Sequence, residues 1–288
     1  MGLENIRMVE FEPDGFCNRT CGWCPNSTIN RRQKDLSSNV ESFETLLKDL
    51  KKHNAGKNSP NGLTISFSRY NEPLSKDAML KTYTELVREH LPDTRVVFNT
   101  NGDYLKPGML ENIAADEVSI MDYDNKGFVK CFLKLKKLGA NPILPRHGSA
   151  FINGNVGKTK VLYYVDWQKH HEIEDRGGLL SACSGVEWRN NKEKRTAPCM
   201  EPTYFIAIDY NGNVLPCCNM RSDAPSHKPF VLGNIKETSI DEIFNSQKAN
   251  SFRGVMASGD SKKYSSPCQN CQKPPGRYTK DNGGIKYE

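Results

Sequence analysis

No stretch of this chain is apolar enough, for long enough, to span a bilayer. The N-terminal run MGLENIRMVEFEP lacks the basic, apolar and small-residue succession of a secretion signal, and Ile6 breaks the myristoylation pattern. No internal repeat or low-complexity tract stands out. Charge of one sign is also scarce: 40 Lys and Arg stand against 34 Asp and Glu. That bias is too weak for a nucleic-acid reading. The Lys-rich stretches LLKDLKKH and KCFLKLKKLG read as solvated helix faces, with a dock for an acidic electron-transfer protein as the alternative. A chain with ten cysteines and no export signal is expected in the cytoplasm, where thiols stay reduced and serve metal ligation rather than disulfides.

What is present begins with Cys17, Cys21 and Cys24 in CNRTCGWCPNS, a C-x3-C-x2-C spacing. Three close thiolates can hold three irons of a [4Fe–4S] cluster and leave the fourth iron open to a small molecule. A structural zinc site is the bland reading, but it wants four ligands, and no His or fourth Cys lies nearby.

The chain around that loop alternates strand and helix patterns. IRMVEFEP, GLTISFS, TRVVFNTNG and DEVSIMD read as four strands, with NPILPR and KVLYYVD as fifth and sixth. Between them SSNVESFETLLKDLKKHN reads as a helix with Val40, Phe43, Leu46, Leu47 and Leu50 on its apolar face. KDAMLKTYTELVREHL and FVKCFLKLKKLG read as further helices, the latter stopped by Gly139, and GMLENIAA as a short one. Alternating βα units mean a parallel sheet, here a partial (β/α)6 barrel over residues 1–176. Chemistry in such barrels sits at the C-terminal ends of strands, and the cysteine loop directly follows the first. Beyond it, YFIAIDYNGNVLPCC reads as a hairpin with an Asn-Gly turn and SIDEIFNSQKANSFRGVMAS as one helix capped by Ser239. Residues 177–273 are expected to form a second domain, and 274–288 a loosely ordered tail.

A second cysteine set follows. Cys199 and Cys217 flank the hairpin, and Cys268 and Cys271 form C-x2-C. Four thiolates suit a cluster or a tetrahedral zinc equally well by ligand count.

With these motifs in place the chain resembles the radical S-adenosylmethionine superfamily over nearly its whole length. CNRTCGWC matches the family's C-x3-C-x-aromatic-C loop, with Trp23 in the aromatic place. Cys199 through Gly212 to Cys217 is C-x12-G-x4-C, which resembles the opening of a SPASM auxiliary-cluster domain. It is cut short after Cys271, as in the smaller twitch version. The resemblance implies two [4Fe–4S] clusters, one binding S-adenosylmethionine and one auxiliary. It implies a flavodoxin- or ferredoxin-type reductant, and a 5′-deoxyadenosyl radical that abstracts hydrogen from a polar substrate.

The family places an acid after the second strand to hold the methionine amino group. RYNEPL supplies Glu72 there, with Asn71 in place of a glycine. By strand-end position Thr100 and Asn101 are expected near the ribose, Asp122 and Tyr123 facing the site, and Arg146 near the methionine carboxylate. Arg176, before two glycines, is expected to contact substrate or cofactor. Cys131 reads as core packing. Cys183 and Cys218 are candidate hydrogen donors to a substrate radical. The family includes enzymes that oxidise or epimerise a carbinol of a cyclitol or aminoglycoside and enzymes that modify ribosomally made peptides. Only sixteen residues precede Cys17, which counts against the peptide reading. A non-catalytic zinc-binding module is the reading from another class.

Overall fold

The structure, a computed structural model, describes residues 2–29, 31, 37–143, 151–167, 176–180, 195–269 and 271. Arg146, Cys183 and the tail from Pro274 lie outside the described residues.

A nine-stranded sheet organises the chain, in the order β5-β6-β4-β3-β2-β1-β7-β8-β9. β1 (Met8–Phe11), β2 (Thr64–Ser66), β3 (Arg95–Thr100), β4 (Glu117–Met121) and β6 (Thr159–Tyr164) run parallel. Helices α1 (Val40–Lys52), α2 (Asp77–His90) and α3 (Phe128–Lys137) return the chain between successive parallel strands. The Asn39 side chain starts α1 by accepting the Ser42 N–H at 2.8 Å. Phe43, Leu46, Leu47 and Leu50 of α1 are buried, whereas Val40, at its first position, is exposed. GMLENIAA yields only a single 3-10 turn at Leu110–Asn112. Gly139 just after α3 takes φ +81°, the left-handed stop read from sequence.

The fifth strand differs from expectation. NPILPR contributes only an isolated bridge between Ile143 and Asn153 before leaving the described residues. The strand instead is β5 (Phe151–Val156), antiparallel to β6 across a turn at Gly157. FINGNV interrupts its apolar alternation with Gly154, which hides it from a periodicity reading.

The C-terminal hairpin forms as expected from β7 (Phe205–Ile208) and β8 (Asn213–Leu215), with Gly212 at φ +86°. β7 follows a helical turn, α4 (Glu201–Tyr204), and pairs parallel with β1. The hairpin therefore extends the same sheet. A two-residue strand, β9 (Gly233–Asn234), closes that edge. The single helix expected after it is two, α5 (Ile240–Asn245) and α6 (Gln247–Ala257), followed by α7 (Ser266–Gln269). Ser246 breaks the run by turning extended and capping α6 through the Ala249 N–H at 3.2 Å. Ser239 caps α5 in a reciprocal box with Glu242.

The core lies between the sheet and its helices. Phe11, Phe43 and Tyr83 pack with ring centres 4.4 to 5.5 Å apart, joining β1, α1 and α2. Cys131 is fully buried in α3, as expected of a packing thiol. Among the described residues no helix is long and apolar enough to cross a membrane.

The packing of α5 on β9 gives one test. A Cβ on Gly233 would stand 2.8 Å from Ile243 Cγ1. Gly233→Ala is expected to destabilise the protein by about 1–3 kcal/mol through overpacking, read as a lowered urea midpoint.

Candidate functional site

One cavity, of about 270 Å³, lies beyond the C-terminal ends of the parallel strands, and Cys17, Cys21 and Cys24 all line it. Their loop has few apolar residues to bury, so polar contacts shape it. Cys24 N–H donates to Cys21 O at 2.9 Å, and Ser27 N–H to Cys24 O at 2.8 Å. Phe16 O, just before Cys17, accepts the Glu72 N–H at 2.8 Å. Asn26 is buried and reaches both ways: its amide donates to Tyr70 O at 2.7 Å and accepts from Arg221 at 2.8 Å. On the outer side Arg19 forks between Asp103 and Asp124, at 2.6 and 2.8 Å. Burial pushes the Cys17 thiol up to about 12 and Cys21 to about 11. Ligation must therefore displace protons, which metal binding to thiolate does.

Glu72, Thr100 and Asn101 come together on the cavity wall. Glu72 Oε1 accepts from Thr100 Oγ1 at 2.5 Å and from the Leu74 N–H at 3.2 Å, and Oε2 from the Asn101 N–H at 2.8 Å. The residue thus ties the β2 loop to the end of β3. Three donors leave a carboxylate about one acceptor direction free, so the same group can still receive an ammonium. Burial raises its pKa to about 6 against the pull of those donors.

Trp23 lines the cavity with Tyr123 and Trp167, three rings whose centres lie 5.2 to 6.1 Å apart. Asp122 takes a different place from the one expected. It is buried off the cavity wall and accepts N–H groups of Asp124, Gly127 and Asp166, each at 3.3 Å. The reason is register: alternate residues leave a strand end on opposite sides, and Tyr123 takes the cavity side. Arg176 also lines the cavity and donates to Asn219 Oδ1 at 3.1 Å.

A second hollow collects Cys199, Cys217, Cys268 and Cys271, with Arg195 beside them. Cys199 N–H is held by Met256 O at 2.8 Å, and Asn219 N–H points at Cys217 Sγ at 3.2 Å. The Arg195 guanidinium donates to Ala197 O and Pro198 O, both at 2.9 Å. Phe205, Leu215, Met220, Met256 and Tyr264 make an apolar cluster around this set, apart from the main core. Four cysteines lining one hollow suit a cuboidal cluster, which takes each thiolate on a separate iron.

Cys217 and Cys218 part company here. Cys217 lines the second hollow and Cys218 the main cavity. Arg176 and Gly177 divide in the same way. Two adjacent residue pairs thus form a wall common to both cavities.

Residues 199–272 match the SPASM iron-sulfur cluster-binding domain. The chain is 29% identical over 267 residues to an S-adenosyl-L-methionine-dependent 2-deoxy-scyllo-inosamine dehydrogenase from Niallia circulans, covering 92% of each. The fold is similar to that of BtrN in complex with AdoMet and 2-DOIA, with TM-score 0.68, 25% identity, and 93% and 94% of the two chains covered. An open conformation of BtrN matches at TM-score 0.60 and 22% identity over 93% and 92%. These likenesses support the radical S-adenosylmethionine reading of the chain. Its cofactors are [4Fe–4S] clusters and S-adenosylmethionine, and its fold is the partial barrel with a SPASM-type C-terminal part.

Arg19, Asn26, Arg69, Tyr70, Trp167, Arg195 and Arg221 were not read from sequence as site residues. Only Trp167 had a usable signal, its place just past the sixth strand.

Two outcomes follow for this site. Substituting Cys17, Cys21 or Cys24 by Ala, or Cys268 by Ala, is expected to halve bound iron from about eight to about four per chain, as read by iron and sulfide assay after anaerobic reconstitution. For Glu72 the folded chain keeps its proton up to about pH 6, while the unfolded chain releases it near 4.5. Stability therefore falls as pH rises across that window, by about 2 kcal/mol for a shift of this size. Glu72→Gln should flatten this slope in urea titrations of the apoprotein.

Proposed function

We propose that this chain is a radical S-adenosylmethionine oxidoreductase that oxidises a carbinol of a cyclitol or aminoglycoside-type molecule. The wall shared by the two cysteine cavities is the observation that carries this reading. When bound, the clusters and S-adenosylmethionine supply a radical that removes one hydrogen atom and an acceptor for the electron left behind. The chain's own residues bind and orient. Glu72 is placed to take the methionine ammonium, and Thr100 and Asn101 stand beside it at the end of β3. Trp23, Tyr123 and Trp167 give an apolar floor that keeps water from a reactive centre.

The other part of the cavity is polar. Glu10, Arg69, Tyr70 and Arg176 line it. Arg69 is almost wholly buried, anchored by one bond to Met220 O at 2.7 Å and 3.9 Å from Glu10. Guanidinium donors suit hydroxyl oxygens, and a carboxylate suits a hydroxyl proton or an amine. That donor and acceptor mix fits a polyol bearing an amine. The relative's name, a dehydrogenase of 2-deoxy-scyllo-inosamine, supports this substrate class. The comparisons give a peptide substrate no specific support. Oxidising a carbinol to a ketone removes two electrons and two protons, so one electron must leave the substrate after hydrogen abstraction. Arg176–Gly177 and Cys217–Cys218 are the residues it would cross to reach the second cysteine set.

A second reading, redox-neutral epimerisation, is favoured by one contact. Cys218 lines the main cavity, where a thiol suits the return of a hydrogen atom. A single experiment separates the two. With 2-deoxy-scyllo-inosamine deuterated at its carbinol carbons, the reconstituted protein is expected to yield a ketone and deuterated 5′-deoxyadenosine. Cys268→Ala should lower ketone formation more than deuterium transfer. Solvent deuterium in an unoxidised product, abolished by Cys218→Ala, would establish epimerisation. No deuterium in 5′-deoxyadenosine would reject this substrate.

A further inference from the structure

Exposed large apolar side chains are few among the described residues, and they gather. Phe128, Val129 and Leu133 of α3 are 36%, 66% and 51% exposed, and Ile143 shortly beyond is 63% exposed; Val40 alone lies elsewhere. Single exposed hydrophobics need no explanation, but a group on one helix does. Helical spacing sets Val129, Leu133, Lys136 and Lys137 along one side, with Lys130 flanking, while Cys131 and Leu135 face the core. The helix carries four lysines and no acid. An apolar centre with a lysine-rich rim has the anatomy of a protein interface rather than of a solvated face.

The location of this face gives it a purpose. Lys134 Nζ, on the same helix, donates to Gly102 O at 2.5 Å. Gly102 lies between Asn101, whose amide donates to Asn18 at 2.9 Å, and Asp103, which holds Arg19 at 2.6 Å. Lys126, just before α3, pairs with Asp124 at 2.9 Å, and Asp124 pairs with Arg19 at 2.8 Å. Asn18 and Arg19 stand between Cys17 and Cys21. The lysine-rimmed helix thus connects to the cysteine loop through one layer of hydrogen bonds and ion pairs.

We propose that α3 is the docking face for a small acidic one-electron carrier of flavodoxin type, which reduces the cluster held by Cys17, Cys21 and Cys24. This rests on the radical-enzyme reading above. The step moves one electron from the reduced flavin of the carrier to the cluster, whose core goes from 2+ to 1+, and no group is transferred. Carboxylates of the carrier meet Lys126, Lys130, Lys136 and Lys137. Val129 and Leu133 supply the apolar centre that the lysines surround. Charge complementarity of this sort speeds encounter and weakens as salt screens it.

The test uses the anaerobically reconstituted holoprotein and a bacterial flavodoxin, with dithionite as a reductant that needs no docking. Lys130→Glu with Lys137→Glu, and separately Leu133→Asp, change exposed side chains outside the cavity. Each is expected to raise the Kd for oxidised flavodoxin, by titration calorimetry, about tenfold. Each should raise the KM for flavodoxin in 5′-deoxyadenosine formation to match, while the dithionite-driven rate stays unchanged. Unchanged Kd and KM in both variants would overturn the proposal. So would a shift in oligomeric state or a loss of binding to anionic lipid vesicles with flavodoxin affinity intact, since the face would then serve a second copy or a membrane. If dithionite drives no cleavage in the unmodified protein, the enzymatic reading fails, and the calorimetric Kd still decides the docking face.

Discussion

Two buried arginines hold the cysteine loop where the rest of the site needs it. Arg31 pairs with Glu12 at 2.6 Å and with Asp223 at 3.0 Å, its side chain almost wholly buried. Arg221, fully buried, pairs with Asp223 at 2.7 Å and donates to Asn26 at 2.8 Å. Burial pushes the Asp223 carboxyl up, but bonding from Arg221 and the charge of Arg31 outweigh it and hold the group well below the usual carboxylate range. Both guanidinium groups also face aromatic rings: Arg221 lies 4.8 Å from the centre of Tyr70, and Arg31 lies 4.9 Å from Tyr210. Charges taken from water must be matched by partners, or the structure loses several kcal/mol per ion. Here they are matched by Glu12 just after β1, the cysteine loop, the β2 loop and the segment after Cys218. From Cys17 to Thr28 the loop has Trp23 as its one large apolar side chain, so hydrophobic burial alone would not fix it. A paired polar network does so instead.

The wall between the two cavities depends on the same network. Arg176, Gly177 and Gly178 all take left-handed φ, at +53°, +68° and +89°. Such a run is costly for a residue with a Cβ, and Arg176 bears that strain at the site. Gly177 is required by crowding as well: a Cβ there would stand 3.2 Å from the His227 ring. His227 Nδ1 accepts the Arg221 N–H at 3.1 Å, and Nε2 faces Gly177 O at 3.0 Å. That pairing sets the proton on Nε2 and makes the ring a strut between Arg221 and the RGG turn. Tyr70 O–H donates to Cys218 O at 2.9 Å and closes the other side. The pairs Arg176–Gly177 and Cys217–Cys218 are therefore braced by residues that also brace the iron-binding loop.

Much of this was legible in the sequence because it rests on local rules. Helical stripes such as Phe43 to Leu50 follow a 3.6-residue period whatever lies opposite. The Asn211–Gly212 turn needs a left-handed residue and shows it. Cysteine spacing exposes both thiol sets. Illegible features depended on partners far along the chain. Arg31 and Asp223, or Asn26 and Arg221, meet across nearly two hundred residues, and a lone buried arginine has no periodic signature. Asp122 was misplaced because strand-end position does not tell which of two neighbours turns inward. The single helix read over Ser239 to Ser258 divided because Ser246 caps a new helix, a choice periodicity does not register.

The cysteine triplet spans two different electrostatic neighbours, and this gives the site a direction. Arg19 acts on Cys21, and Arg176 acts on Cys24, each favouring the thiolate against burial. Arg19 belongs to the ion-pair layer that continues through Asp124 to Lys126 and α3. Arg176 belongs to the wall before the second cysteine set. On the proposed reading, an electron entering by the first side and one leaving by the second would use different residues. Asn18 and Arg19 face the turn after β3, while Asn26 faces Tyr70 and Arg221. A loop held from one side only would let the thiols approach the second set or withdraw from the strand ends. Held from both, the loop is tied to the end of β3 on one side and to the β2 loop and Arg221 on the other.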